Sequence, residues 1–245
     1  MLNTPTFDKL RTLKLMGIVQ GLEEQLSATS YDDLSFEERI GLLADKELTC
    51  RENRRLKTRL TQAKLRLQAC MEDIDYLSKR GLDKSLIQSL NSCDWIKEGL
   101  NILITGPTGV GKSYLACAFA HRACLMGYKS RYFRASKLFG ELRLAAADGR
   151  YPKLMNSLAK LNLIVIDDWG LTELDDQARN DLLEILEDRY GIRSTIIAGQ
   201  LPVDHWHKMI GNPTIADAIL DRLVHNAYKI NLEGDSMRKK KRNSV

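Results

Sequence analysis

The sequence predicts an α/β protein: a parallel sheet that carries a phosphate-binding loop, preceded by a small all-helical region. Three observations lead there. Residues 106–113 read Gly106-Pro107-Thr108-Gly109-Val110-Gly111-Lys112-Ser113, a complete GxxxxGKS pattern between a short apolar run (101–105) and a helix-forming stretch that starts at Tyr114. Residues 163–166 are uninterruptedly apolar and end in Asp167-Asp168, as does a strand buried on both faces of a parallel sheet. Finally, apolar runs alternate with helical stretches from residue 100 onward, which predicts right-handed crossovers between parallel strands.

The elements follow in order. Phe7, Leu10, Leu13, Val19, Leu22 and Leu26 recur at helical spacing. Ser35, with Glu38 three residues on, is a capping-box start for a second helix carrying Ile40 and Leu43. A third helix is expected from about Cys50 to Cys70, with Leu56, Leu60, Ala63 and Leu67 as its apolar stripe. Residues 81–99 read as a connector with a lead-in helix. Strands are expected near 101–105, 130–133, 162–167, 194–198 and 227–232, and helices near 112–126, 136–146, 151–160, 175–190 and 214–224. The expected organisation is a helical domain over 1–80, a connector over 81–99, an ATPase domain over 100–237 and a basic tail over 238–245. Only a short segment follows the last expected strand, so no C-terminal lid domain is expected.

Composition narrows the class. The 245 residues carry 44% hydrophobic and 28% charged side chains, ordinary for a globular protein. No apolar run approaches the ~20 residues of a membrane span, and the first residues lack the basic and apolar regions of a signal peptide. The five cysteines (Cys50, Cys70, Cys93, Cys117, Cys124) show no CxxC spacing and read as reduced thiols of a cytoplasmic protein. His205-Trp206-His207 has nothing nearby to complete a zinc site.

The chemistry sits in the loop. Its glycines let the backbone approach a polyphosphate without a Cβ clash, and its N–H groups, with those of the following helix start, then face the phosphate oxygens. Lys112 adds a charge for the β- and γ-phosphates, and the Ser113 hydroxyl is a ligand for Mg²⁺. Asp167, at the carboxyl end of its strand, is expected to hold the same ion, and Asp168 to orient or deprotonate the attacking water or else to cap the next turn. Gln200, after the strand 194–198, suits a γ-phosphate or water contact. Arg222, near the end of the helix 214–224, suits a cation offered to a neighbouring subunit's γ-phosphate, or an ordinary surface ion pair.

Net charge is only +5, but it is unevenly distributed. Arg51, Arg54, Arg55, Lys57, Arg59, Lys64 and Arg66 crowd one expected helix, opposed by Glu52 alone. Such a helix fits the phosphates of duplex DNA; a merely solvated face is the plain alternative. The run 238–242 is a basic tail that adds nucleic-acid affinity or simply solubility.

The order GPTGVGKS, LIVIDDWG, STIIAGQLP, AILDRL and then Gly234-Asp235-Ser236-Met237-Arg238 resembles the AAA+ ATPases. It is most similar to the IstB-type helper proteins of bacterial insertion sequences, and next to the replicative helicase loaders. The resemblance covers nearly the whole chain, Arg-rich helix included. It implies that residues 106–114 cradle ATP, with Lys112 and Ser113 as the Walker A pair, and that Asp167 is the metal-binding carboxylate. Asp168 matches the position usually held by a catalytic Glu, and is one methylene shorter. Gln200 matches sensor 1, usually Asn; Arg222 matches the arginine finger in trans, and Arg238 the sensor-2 arginine. It further implies ATP and Mg²⁺ as cofactors and duplex DNA, a transposase and further copies of the chain as partners. The alternatives are a helicase loader, whose N-terminal domain would bind helicase rather than duplex DNA, a small-molecule P-loop kinase, which would need an Arg-rich lid, and a non-hydrolysing scaffold, against which a complete Walker pair argues.

Overall fold

The computed structural model describes residues 4–77 and 80–237. They fall into two compact units that divide between Thr58 and Arg59.

The first unit is helical: α1 (Thr4–Thr12), α2 (Met16–Ser27), a 3₁₀ turn (Thr29–Tyr31) and most of α3 (Phe36–Ala63). The helical spacing of residues 7–26 does not give one helix, because Lys14 adopts φ 58° and breaks it. The N-terminus of α2 has no side-chain cap of its own. It is capped instead by Glu47 of α3, whose Oε2 accepts the N–H groups of Gly17 (2.7 Å) and Ile18 (3.2 Å). The approach is close enough that a Cβ on Gly17 would stand 2.4 Å from Glu47 Cα. The expected capping box forms at the start of α3: Ser35 N–H donates to Glu38, and Glu38 N–H to Ser35 Oγ.

The second and third expected helices are one. α3 runs through to Ala63 and stops there rather than near Cys70, because Lys64 takes φ 48°, a left-handed terminator. The chain beyond it turns inward: Ala69, Met71 and Ile74 are buried in the core of the second unit, and Leu65 and Tyr76 pack against it. That packing puts the boundary between units inside α3, whereas the sequence divided the chain at residue 80.

The second unit continues with α4 (Lys84–Leu90), α5 (Asp94–Lys97), β1 (Asn101–Thr105), α6 (Lys112–Leu125), β2 (Ser130–Arg134), α7 (Ala135–Ala147), α8 (Tyr151–Ala159), β3 (Leu163–Trp169), α9 (Asp176–Glu187), β4 (Ser194–Gly199), α10 (Trp206–Ile210), α11 (Pro213–Val224) and β5 (Ala227–Asn231). The five strands form one parallel sheet in the order β2-β3-β4-β1-β5. Side chains alternate across it. Ile102 and Ile104 join the α6 layer with Leu115 and Phe119, while Leu103 joins the layer of α7, α8, α9 and α11 with Leu138, Leu158, Leu182 and Leu223. Among the described residues no lid follows β5, and none of their helices is long and apolar enough to cross a membrane.

Candidate nucleotide site

β4 lies between β3 and β1, and because the strands are parallel their carboxyl ends open on one edge. The loop 106–111 leaves β1 there, Gln200 follows β4, and Asp167 and Asp168 lie at the end of β3. Thus the topology gathers the P-loop, Gln200 and the two carboxylates on one edge, as ligand sites of open α/β sheets require.

The loop is held tightly. A Cβ on Gly106, whose φ is 139°, would stand 2.0 Å from Leu232 O. Met237 N–H donates to Gly109 O at 2.9 Å, tying the segment after β5 to the loop. Lys112 is buried and curls back, its Nζ donating to the carbonyls of Gly106 (2.8 Å) and Pro107 (2.7 Å). Ser113 follows it in the first turn of α6, and Tyr114 packs against the core. No side chain caps the start of α6. Its first N–H groups therefore suit an anion, which fits the polyphosphate of ATP.

The carboxylates sit at an irregularity. The β3–β4 register shifts between Ile166 and Trp169, and Asp168 takes φ 58°. A bulge of this kind re-aims side chains near the site. Asp167 is 1% exposed and its Oδ2 accepts the Tyr132 hydroxyl at 2.5 Å. Burial, then the hydrogen bond to Asp167, pushes the Tyr132 hydroxyl well above the usual tyrosine range, so it stays a donor. Arg66 Nη1 lies 3.7 Å from Asp167 Oδ2 and 3.5 Å from Asp168 Oδ2, and Arg134 Nε lies 3.6 Å from the latter. Contact with the Tyr132 hydroxyl, then the charges of Asp168 and Asp167, raises the Arg66 guanidinium above its already high range.

The hard oxygens of Ser113 and Asp167 fit Mg²⁺. Among the described residues no group of three or more His, Cys, Asp or Glu could hold a metal.

Arg222 is elsewhere. It lies near the end of α11, and its backbone O accepts from Asn101, the first residue of β1. The P-loop leaves the other end of β1, about 13 Å away at ~3.3 Å per residue. The Arg222 guanidinium pairs with Glu187 at 2.5 Å and donates to Ala218 O at 2.8 Å.

A family model described as IstB-like ATP binding protein matches residues 8–245. The chain belongs to the IstB-like ATP-binding family. Its relatives include the insertion sequence ATP-binding protein y4pL of Sinorhizobium fredii, 53% identical over 99% of both chains. Another is the IS1162 ATP-binding protein of Pseudomonas fluorescens, 46% identical over 82% of this chain and 88% of that one. Among solved structures, the DnaC helicase loader matches 69% of this chain and 99% of its own, with TM-score 0.55 and 20% identity. The replication initiator DnaA, bound to AMPPCP and single-stranded DNA, matches 74% and 56%, with TM-score 0.58 and 17% identity. At these identities the likenesses show a shared fold.

In this IstB-like chain the seven cations do not share one face. Arg54 and Arg55 are exposed on α3, as are Lys57 and Arg51, the latter paired with Glu47 at 2.6 Å. In the second unit, Arg59 Nε donates to Cys124 O at 2.9 Å. Lys64 and Arg66 lie past the end of the helix, Lys64 lining a basic cavity with Arg131, Arg134 and Lys137, and Arg66 beside the carboxylates. Arg238 and the basic tail lie outside the described residues.

Sequence reasoning missed Tyr132, Arg134 and Arg80. The first two had as a signal only their place in, or just past, the expected strand 130–133; the pairing of Arg134 in register with Asp167 is seen only in the fold. Arg80 had none. It is buried, donates to Val110 O (3.1 Å) and Asp75 O (2.6 Å), and so braces the P-loop from beneath.

Proposed function

We propose that this chain is an ATP-hydrolysing helper of DNA transposition. It assembles on duplex DNA with ATP sites shared between subunits and presents that DNA to a transposase; hydrolysis regulates the assembly. The observation that carries the shared site is the position of Arg222. It lies at the opposite end of β1 from its own P-loop, which supports a role at a neighbour's nucleotide once its ion pair with Glu187 opens.

The chemistry follows from the residues. The N–H groups of loop 106–111 and of the α6 start take the phosphate oxygens. Lys112 exchanges the carbonyls of Gly106 and Pro107 for β- and γ-phosphate oxygens. Mg²⁺, held by Ser113 and Asp167, would supply charge neutralisation at the phosphates. Asp168 orients a water whose oxygen attacks the γ-phosphorus while the bond to the β-phosphate oxygen breaks, and its carboxylate takes the water's proton. Gln200 steadies that water or the γ-phosphate. Arg222 of one subunit, once released from Glu187, stabilises charge on the γ-phosphate of the next. Arg238 remains a proposed sensor-2 residue, on sequence grounds.

Support for a DNA partner comes from the exposed Arg54 and Arg55 on α3 and from the names of the relatives, which are proteins of insertion sequences. Measuring ATP turnover and sedimentation with and without duplex DNA tests the reading. Larger species and altered turnover with DNA are expected. A chain that stays monomeric with ATP and DNA together would refute it.

A further inference from the structure

Arg66 stands three residues beyond the end of α3, and the chain there is fastened to the nucleotide site. Leu65 packs against the core, Ala69 is buried, and the backbone N–H groups of Leu67 and Arg66 face the Cys117 sulfur of α6, the helix that starts at Lys112. From that anchored backbone the guanidinium reaches both carboxylates at the end of β3, 3.7 Å from Asp167 Oδ2 and 3.5 Å from Asp168 Oδ2. Its side chain is 32% exposed; that of Arg134, which meets Asp168 alone, is 45% exposed. Two adjacent carboxylates, one of them buried, repel each other, and a cation that faces both offsets that repulsion.

We propose that Arg66 is a positioning residue of the nucleotide site, a cation built into the chain that holds Asp167 and Asp168 together and must yield when a divalent metal arrives with nucleotide. The proposal rests on the reading of Asp167 as a metal ligand. Two cations serving one carboxylate pair repel each other, so metal binding and the Arg66 contact oppose each other. The segment that leaves α3 therefore registers the state of the site.

The test is Mn²⁺ binding to the full chain in the presence of ADP, read by electron paramagnetic resonance. Arg66→Ala and Arg66→Gln should bind Mn²⁺ about three- to tenfold more tightly than wild type, because removing a facing charge favours the added cation; Arg66→Lys, which keeps the charge but loses the fork that faces both carboxylates, should fall between. Lys137→Ala, in the same basic cavity, should match wild type. Arg66→Gln carries the test if Arg66→Ala fails to fold, since it keeps more of the side chain than Ala and a donor. Wild-type or weaker Mn²⁺ affinity in the folded Arg66 variants would overturn the proposal, as would an equal gain in Lys137→Ala, which marks a general field. Asp167→Asn separates the two readings. If it loses Mn²⁺ while the Arg66 variants match wild type, only the Arg66 proposal fails; if it binds Mn²⁺ like wild type, the metal-ligand reading itself fails.

Discussion

The Tyr132 hydroxyl donates to Asp167 Oδ2 at 2.5 Å, from the middle of β2 to the end of β3. One lone pair of the buried carboxylate is thereby fixed. A hydrogen bond to a charged group contributes about 1.5–3 kcal/mol. Tyr132→Phe should lower the unfolding free energy by about that amount in a urea titration, and should weaken turnover as Asp167 loses its orientation. Unchanged stability and unchanged turnover would show that the contact does nothing for Asp167.

Asp168 is held at positive φ beside two guanidiniums. Asp168→Asn should keep ATP binding and lose about 10²–10⁴-fold in hydrolysis, the range for a group that handles the proton. Binding by calorimetry and single-turnover rates separate the two. Hydrolysis at the wild-type rate would remove Asp168 from the site.

Glu47 caps α2 from a neighbouring helix. Burial pushes its carboxyl up, but Arg51 and the N–H groups of Gly17 and Ile18 more than offset this and leave it below its ordinary value. A lowered carboxylate contributes stability above its unfolded pKa and loses it as pH falls through the folded one. Glu47→Ala should therefore destabilise the helical unit by about 1–2 kcal/mol near neutrality, and the gap to wild type should close in acid, below the usual carboxylate range. A gap that is constant with pH would mean that the charge is irrelevant.

Arg54 and Arg55 are the exposed α3 cations that the DNA reading needs most. Phosphate contact predicts a log–log salt slope of about −0.9 per neutralised phosphate. Replacing both by Ala should flatten that slope by roughly two units and weaken binding to all sequences alike. Binding equal to wild type across a salt titration would shift the N-terminal unit from DNA towards a protein partner such as a helicase.

Most of the sheet was legible because burial on both faces writes a continuous apolar run, as in 163–166, and because the P-loop fixes what precedes and follows it. The helical region was less so. Apolar spacing does not report a break such as Lys14 at φ 58°, nor that α3 would stop at Ala63, because both depend on what the next segment packs against. The same holds for charge. Arg66 and Arg55 look alike in sequence, yet one faces the carboxylates and the other faces solvent. Which cation serves which anion is decided by long-range packing, here of residues 65–76 on the core.

The central claim is that each ATP site is completed by a second subunit. Mixing Arg222→Ala with Lys112→Ala protein tests it most directly, since a mixed interface joins an intact P-loop to an intact arginine. The account predicts that each variant alone is nearly inactive and that turnover recovers on mixing, peaking near equal amounts. No recovery at any ratio, with assembly shown by sedimentation to be intact, would contradict it.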